Sequence, residues 1–583
     1  MDSNAKIVLL KTELFQEVEK DKKKGNVLVE SIIKPIVAIS ARPNSSILGI
    51  ACANGNVYQW NFLTKDAVLT SIGRSFAADI PNFLQYSPDG KWLVVAGCQG
   101  NIYVFNVEKR DWQQTILQIA HKKRGIKANY IAFSENSVNF AIMDDQCCVS
   151  LYKLGHKFDD VSQPIEWVFS GKLRSHAANV TGICFGESLK DGGEKRHRLF
   201  SIGEDKYLFE YNVERSNKEN LVVTSFNQIE QECIPTACLW YPVNYLNEDV
   251  IMITTSDYKI KLFNVKDRDN KICKQTLLGP SYGHPINKLV YLNIHNKTED
   301  DVPKYVAYST KEKIIGIIKL PLDGNPNKTM GLIAHPENIS SITASSDGKF
   351  IFTAGETDLT VNMWTVNFVS LEENIAMNQT DENPLNIYPN LLEGGLDGQI
   401  YRDLKNFFYY SQIRSKKENT TKARNLDGKI PIDEIPNLMC ALGYYPTQLE
   451  IKNMQDEIKY SRIHKGEYVT ELQLDTFVKL FINHRPVYGL TKDLIKQKME
   501  GLFTEGEDFL TRDNFLELLG NKGEKMDRDD IQRCFKHLID DGPMHQILPE
   551  RIDVDFLLDK ILGFRESEDE DELDEGMETM QEN

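Results

Sequence analysis

Seven apolar or aromatic residues, Trp60, Phe105, Tyr152, Tyr211, Phe263, Ile318 and Trp364, each close a strand-like run and each follow, six positions on, a polar residue suited to a tight turn. The seven turn residues are Asn54, Gln99, Gln146, Asp205, Asp257, Glu312 and Asp358. Positions drawn at random from a chain that is 41% hydrophobic would rarely agree so well. Spacings of 45, 47, 59, 52, 55 and 46 residues separate the aligned positions, so the chain is an array of seven units. Each unit carries runs of strand-forming residues, as in Trp92–Ala96 and Phe350–Ala354. Asp-Gly bends at Asp89-Gly90 and Asp347-Gly348 lie about fifteen residues ahead of the aligned aromatic, as short hairpins in a four-stranded blade require. One blade cannot bury its own faces, so all seven are expected to close into a β-propeller.

The unit from His335 to Trp364, HPENISSITASSDGKFIFTAGETDLTVNMW, is similar to a WD-type repeat, and the other six resemble weaker copies of it. Spacings above about 45 imply insertions, and the polar stretches Ser188–Arg198 and Asn293–Pro303 read as exposed loops. The register begins at Ile33 with an inner strand and ends near Asn367 after a third strand, which leaves the last blade short of its outer strand. A segment within Ala5–Glu30, either Lys6–Lys11 or Asn26–Glu30, is expected to supply it.

At 583 residues the chain exceeds one ordinary domain. No apolar run reaches the roughly 20 residues of a membrane helix, and the N-terminus lacks a signal peptide's apolar stretch, so a soluble, unexported protein is expected. Ten cysteines at irregular spacing, with no C-x-x-C, suit a reducing compartment. The net charge of −17 is dominated by Glu566–Asn583, which holds ten acidic residues and no Lys or Arg; this reads as a disordered acidic tail. The short basic runs Lys20–Lys24 and Arg414–Arg424 read as a linker and a loop. With no basic stripe or aromatic platform, nucleic acid is not an expected partner.

After Asn367 the blade pattern stops, and polar residues with prolines mark a linker over 371–389. Helical periodicity then places Leu404, Phe407, Phe408 and Ile413, and later Ile435, Leu438, Met439 and Leu442, on single faces. Between them ARNLDGKIPIDE, Ala423–Glu434, reads as a twelve-residue EF-hand loop with Asn425 at position 3, Asp427 at 5, Gly428 at 6, Lys429 at 7 and Glu434 at the bidentate position 12. Position 1 is Ala423, so one carboxylate is missing and at most one weakly bound calcium is expected, on Asn425, Asp427, Lys429 and Glu434. The pattern recurs three times with decay. Thr447-x-x-Glu450 forms a capping box. The second loop has Ser461, Ile463, Lys465 and Leu472 at ligand positions, the third has Asn514 at position 12, and the fourth, around Asp540-Asp541-Gly542-Pro543, is stretched. Four such units make two EF-hand pairs, a calmodulin-like layout.

The stretch from Asp403 to Met454, with LDGKIP and ALGYYPT, joined to an upstream WD array ending in an SSDG blade, resembles the cilia- and flagella-associated WD-repeat protein family of the calmodulin- and spoke-associated complex. The expected architecture is an all-β seven-bladed WD-repeat propeller over 1–370 with an N-terminal closing strand, a linker over 371–389, an all-α calmodulin-like EF-hand domain over 390–565 and the acidic tail over 566–583. Members of that family are longer, with a charged N-terminal extension and more WD repeats, so the resemblance implies a short form carrying the second propeller. It also implies a structural protein of the ciliary axoneme at a radial spoke base. The implied partners are other radial-spoke and calmodulin- and spoke-associated complex proteins, and calmodulin, beside the doublet microtubule.

Phe407, Phe408, Met439 and Phe477 are candidates for holding a partner's amphipathic helix. The other function class is a calcium-responsive regulator built on the first loop. An enzyme is not expected: a Gly-rich phosphate loop, H-E-x-x-H, G-x-S-x-G and zinc-spaced cysteines are all missing. His176, His284 and His335 fit the loops entering blades and read as structural. The Trp-Asp-x-Arg motif of ubiquitin-ligase adaptors is replaced by Trp60-Asn61-Phe62-Leu63 and Trp364-Thr365-Val366-Asn367.

Overall fold

Six residues that directly follow an aligned turn residue adopt a left-handed backbone: Gly55, Gly100, Cys147, Lys206, Tyr258 and Leu359, with φ between 57° and 86°. Four of the six are not glycine, at a cost of roughly 1–2 kcal/mol each. The turn residue helps to offset that cost by accepting a backbone N–H two positions on, as Asn54 does from Asn56 (2.9 Å) and Asp358 from Thr360 (3.2 Å). These turns join the second and third strands of each blade. The seven aligned closing residues are all at most 3% exposed, so the register seen in sequence is the register of the core.

The computed structural model of the chain describes residues 5–13, 26–32, 35–64, 66–68, 79–108, 114–118, 126–156, 165–189, 195–241, 249–266, 272–292, 304–378, 387–416, 426–489, 491–503, 508–538 and 547–563. It contains a seven-bladed β-propeller. Six blades are four-stranded antiparallel sheets over 36–68, 81–118, 128–174, 180–228, 235–278 and 286–333. The seventh combines three strands over 339–365 with the N-terminal strand Ala5–Glu13, which runs parallel to Thr360–Thr365 with Lys6 opposite Thr360 and Leu9 opposite Met363. A further strand, Asn26–Ile32, pairs antiparallel with Ala5–Glu13, so both candidate segments enter the seventh sheet, one behind the other.

Every innermost strand carries a bulge at the same place, at Val37, Asn82, Asn129, Thr181, Thr236, Asn287 and Ser340. The bulge lets a polar side chain reach sideways to the next blade. Asn82 donates to the Ala128 carbonyl (2.5 Å), Thr181 to Pro235 (2.7 Å), Thr236 to Ile286 (2.5 Å) and Ser340 to Ile36 (2.9 Å). Four of the seven junctions between successive blades are laced together in this way. The sequence pattern that encodes this is a polar residue second in the inner strand, unremarkable in any one repeat.

The two ends of the stretch Ser188–Arg198 differ from the loop expected of it, and residues 190–194 lie outside the described residues. Strands Val180–Leu189 and Lys195–Gly203 extend their pairing out to Leu189 and Lys195, and Arg198 is buried. A charged residue survives there because Glu210 faces it at 2.8 Å and Asp249 at 3.3 Å, with Phe200 under the guanidinium. Asn293–Pro303 and the acidic stretch 566–583 lie outside the described residues.

The start of the expected linker is a helix, α1 (Phe368–Asn378), which buries Leu371 and Ile375 against the outer parts of the last two blades. Phe368 stacks on Tyr305 at 4.5 Å, and Glu372 accepts from the Tyr305 hydroxyl at 2.5 Å and pairs with Lys319. The helical half follows as two pairs. The first holds α2 (Gln399–Ser415), α3 (Ile435–Ala441), α4 (Gln448–Lys459) and α5 (Leu474–His484), with its two loops joined by the short strands Lys429–Pro431 and Glu471–Gln473. The capping box on α4 forms as expected. The second holds α6 (Lys492–Glu500), α7 (Arg512–Asn521), α8 (Arg528–Leu538) and a last helical turn beginning at Val554, joined by Phe509–Thr511 and Arg551–Asp553.

Residues 1–485 form one compact unit and 486–583 another. The division falls inside the span 390–565 that reads as one domain from sequence. The reason lies at the outer edge of the fifth blade.

Candidate functional site

The outermost strand of the fifth blade, Ile272–Leu278, pairs on one side with Lys259–Asn264, with Thr276 opposite Lys261 and Leu278 opposite Lys259. The N–H groups of Thr276 and Leu278 point the other way, where an edge strand would face water. Here they meet the first helical pair. Glu457 of α4 accepts from Thr276 N–H at 3.2 Å, and Asn483 of α5 accepts from Leu278 N–H at 3.1 Å. Two side chains therefore take the place of a fifth strand. His484 donates to or accepts from Glu457 at 3.0 Å and steadies it, and Leu278 itself packs on the apolar core of the helical pair.

The sixth blade adds to the junction. Gly324 has φ +79°, and a Cβ there would come within 2.5 Å of the Asn483 carboxamide. Tyr388 donates to the Asp323 carbonyl at 2.6 Å and lies under the Lys479 ammonium. Lys259 is 2% exposed and points its amine at the carbonyl of Arg485, the residue that ends α5, at 2.7 Å. Burial pushes its ammonium down to about 7, with Asp257 partly opposing the effect and Arg485 adding to it. Two residues away Lys261 is also buried, but Glu230 beside it holds that ammonium above the usual lysine range. Alternate residues of one strand thus carry one lysine paired with a carboxylate and one whose amine meets the carbonyl that ends a helix.

Of the residues assigned to partner contact, Phe408, Met439 and Phe477 are fully buried, and Phe408 and Phe477 lie 6.2 Å apart in the core of the first helical pair. Only Phe407 reaches the surface, at 38% exposure. The three buried side chains form part of the core of the first helical pair. The space beside them is filled by the chain itself, through Tyr388, Leu391, Leu392 and Leu278. An apolar stripe at helical spacing cannot by itself distinguish a core from a groove.

The first loop brings together part of its expected set. Asp427 accepts from the Lys416 ammonium at 3.1 Å and from its neighbour Lys429's backbone at 3.3 Å. Glu434 pairs with Arg414 and accepts from Asn437 at 3.4 Å. Gly428 makes the sharp turn at φ +73°. Lys429 lies in the short strand opposite Gln473, and Asn425 is outside the described residues.

Two of the three histidines sit at the heart of their blades. His176 bonds Asp205 at 2.9 Å and Ser201 at 2.7 Å, with Tyr211 completing the chain at 2.8 Å from Ser201. His335 bonds Asp358 at 2.7 Å and Thr353 at 2.8 Å, and Trp364 donates to the same Thr353 at 2.9 Å. Burial lowers the His176 imidazole below its usual range, against the opposing pull of Asp205. His284 differs: it is half-exposed and pairs with Glu312 at 2.5 Å.

Residues 399–562 match the CFAP251 C-terminal domain, and residues 75–106 and 324–365 match the WD domain, G-beta repeat. The chain is similar to cilia- and flagella-associated protein 251 of Tetrahymena thermophila, 44% identical with 98% of this chain and 61% of that protein aligned. The protein of that name from Mus musculus is 31% identical over 94% of this chain and 43% of its own length. That of Chlamydomonas reinhardtii is 20% identical over 97% and 56%. The chain therefore spans between 43% and 61% of the length of these relatives.

Proposed function

The homologues of this chain are cilia- and flagella-associated proteins 251 with WD repeats, its place is the cilium or flagellum, and on that premise we propose that it serves there as a non-enzymatic scaffold at the base of a radial spoke. In this reading the helical half is a degenerate calmodulin-like pair of EF-hand modules, and the stable partners are other radial-spoke and calmodulin- and spoke-associated proteins beside the doublet microtubule.

The observation that carries the reading is the junction at Ile272–Leu278. Domains within a chain are free to move against each other unless their interface is large and apolar. Here Glu457 and Asn483 complete the hydrogen bonding of a β-sheet edge, and the first helical pair shares its core with Leu278. A propeller with a helical pair built onto one blade offers several separate faces, which suits a part that fixes the positions of others.

Cryo-tomography of cilia lacking the protein tests the assignment. One class of radial spoke is expected to be missing or to lack its base, with slowed or uncoordinated beating. Intact spokes in such cilia would overturn it.

A further inference from the structure

The loop Ala423–Glu434 resembles one that cages calcium, and the residues present can be tested against that ion. An EF-hand loop holds calcium with oxygens from positions 1, 3, 5, 7 and 12, and the bidentate carboxylate at 12 ties the leaving helix to the entering one. Position 1 is alanine. The carboxylates at positions 5 and 12 each hold a cation from the chain. Lys416 follows the last residue of α2 and sits 3.1 Å from Asp427; Arg414, in the last turn of α2, pairs with Glu434, the residue that caps α3. The companion loop fits calcium no better. It carries Ile463 and Lys465 at positions 3 and 5 and Leu472 at 12, and its Ser461 hydroxyl is turned back to the Ile458 carbonyl at 2.7 Å. Among the described residues there is no group of three or more His, Cys, Asp or Glu placed to hold a metal.

We propose that Arg414 and Lys416 are resident cations that replace calcium in the first loop, so that the first helical pair is set in its propeller-bound arrangement at any calcium concentration. The Arg414–Glu434 pair performs the mechanical part of the ion's work, since it joins the end of α2 to the start of α3. Gly428 keeps the sharp turn, and the short strands Lys429–Pro431 and Glu471–Gln473 keep the two loops paired. What is lost is the switch. Both ion pairs are partly exposed, 38% and 16% for Arg414 and Glu434 and 33% and 45% for Lys416 and Asp427, so neither contributes much stability alone. Their larger effect is on a divalent ion, which would have to displace two positive charges already seated on its ligands.

Calcium binding to the full chain, measured by calorimetry with Glu434→Gln as the control that isolates this loop, tests the proposal. Wild type is expected to show no Glu434-dependent site in the sensor range of about 10⁻⁷ to 10⁻⁵ M. Arg414→Gln combined with Lys416→Gln is expected to bind at least roughly tenfold more tightly than wild type, because the competing charges are gone. A sensor-range site in wild type, or no gain in the double variant, overturns the proposal. If the double variant does not fold, charge exchange gives the second arm. Arg414→Glu and Glu434→Arg should each lower the thermal midpoint in calcium-free buffer, and together they should restore it. Losses that simply add would overturn the structural role of the pair.

Discussion

Asn483 and Leu278, 205 residues apart in sequence, share a hydrogen bond of 3.1 Å in which a helix side chain accepts the backbone N–H of an outermost propeller strand. Asn483 is fully buried, so this is an interior bond at a place where a propeller usually meets solvent. Glu457 repeats the arrangement two residues along the strand, at Thr276. The period of two is that of N–H groups along one edge of a strand, which is why residues from two different helices are needed to meet them.

Replacing Asn483 by Leu keeps the size but leaves the Leu278 N–H without its acceptor in a buried setting. The expected loss is about 1–3 kcal/mol of stability. Hydrogen exchange checks it locally: the Leu278 amide should exchange at least about tenfold faster, a factor that corresponds to about 1.4 kcal/mol, while amides of the second blade keep their rates. Gly324→Ala should weaken the same junction from the other side, since φ +79° and the 2.5 Å approach to Asn483 both oppose a Cβ. Unchanged exchange at Leu278 in both variants would mean that the junction is held by apolar contacts alone.

Lys259 gives the junction a pH dependence with a definite sign. Its ammonium is pushed down by burial from 10.5 to about 7. Between those values the unfolded chain binds a proton that the folded chain does not, so stability rises with pH across that window, and below about 7 the cost of the buried charge is fully present. Relative to Lys259→Met, wild type should therefore gain stability from pH 7 to 9, with a slope of up to about 1.4 kcal/mol per pH unit. Parallel thermal unfolding of the two chains measures the difference and cancels the titration of Lys288, which burial lowers to about 8. A difference that stays constant from pH 7 to 9 would show that Lys259 keeps its proton when buried.

The inner-strand lacing predicts effects of both signs. Thr181→Val removes the hydroxyl that reaches Pro235 and should cost about 0.5–1.5 kcal/mol. Val37 occupies the same bulge in the first blade but has no donor to offer the next one. Val37→Thr should therefore stabilise the propeller by a similar small amount, read as a higher denaturant midpoint with an unchanged slope. If Val37→Thr destabilises instead, the seven bulges are not equivalent in geometry.

The propeller was legible in the sequence because its information is local and repeated. Asp205 marks a tight turn without help from elsewhere, the other six units carry a polar residue at the same offset, and in five of them the next residue is left-handed as Lys206 is. The helical pairs were legible for a related reason, since Gly428 and Thr447-x-x-Glu450 mark loop and helix start within a few residues. The junction was not legible. Glu457 and Asn483 look like ordinary polar helix positions, and what makes them special is the edge of a strand about 200 residues earlier. Phe408 and Met439 lie on the apolar faces that their spacing predicts, but only packing shows that these faces meet Phe477, Tyr388 and Leu278 in one core. Arg198 falls outside the loop reading for the same reason: its compensating partners, Glu210 and Asp249, come from later in the chain.

The ring's closure rests on a pairing that no other blade uses. Ala5–Glu13 lies parallel to Thr360–Thr365, whereas all other neighbouring strands in the seven blades are antiparallel. A parallel neighbour cannot be reached by a hairpin, so this strand comes from a remote part of the chain, the segment Ala5–Glu13 ahead of the first blade. Without it the first and seventh blades remain joined, through their inner strands by Ser340 to the Ile36 carbonyl and by Thr343 accepting from Ala41 N–H at 3.2 Å, and through ring contacts of Trp60 and Phe62 with Phe352. Deleting residues 1–31 should therefore lower stability without abolishing the fold. The loss of several backbone hydrogen bonds puts the effect at about 2–5 kcal/mol. Val8→Pro offers a milder version, because proline removes one N–H and disfavours a strand interior. Thermal unfolding should show a lower midpoint for both chains, and hydrogen exchange should show faster opening at Thr360–Thr365 before any change in the second to fourth blades. If the truncated chain unfolds at the wild-type temperature, the inner-strand contacts close the ring by themselves.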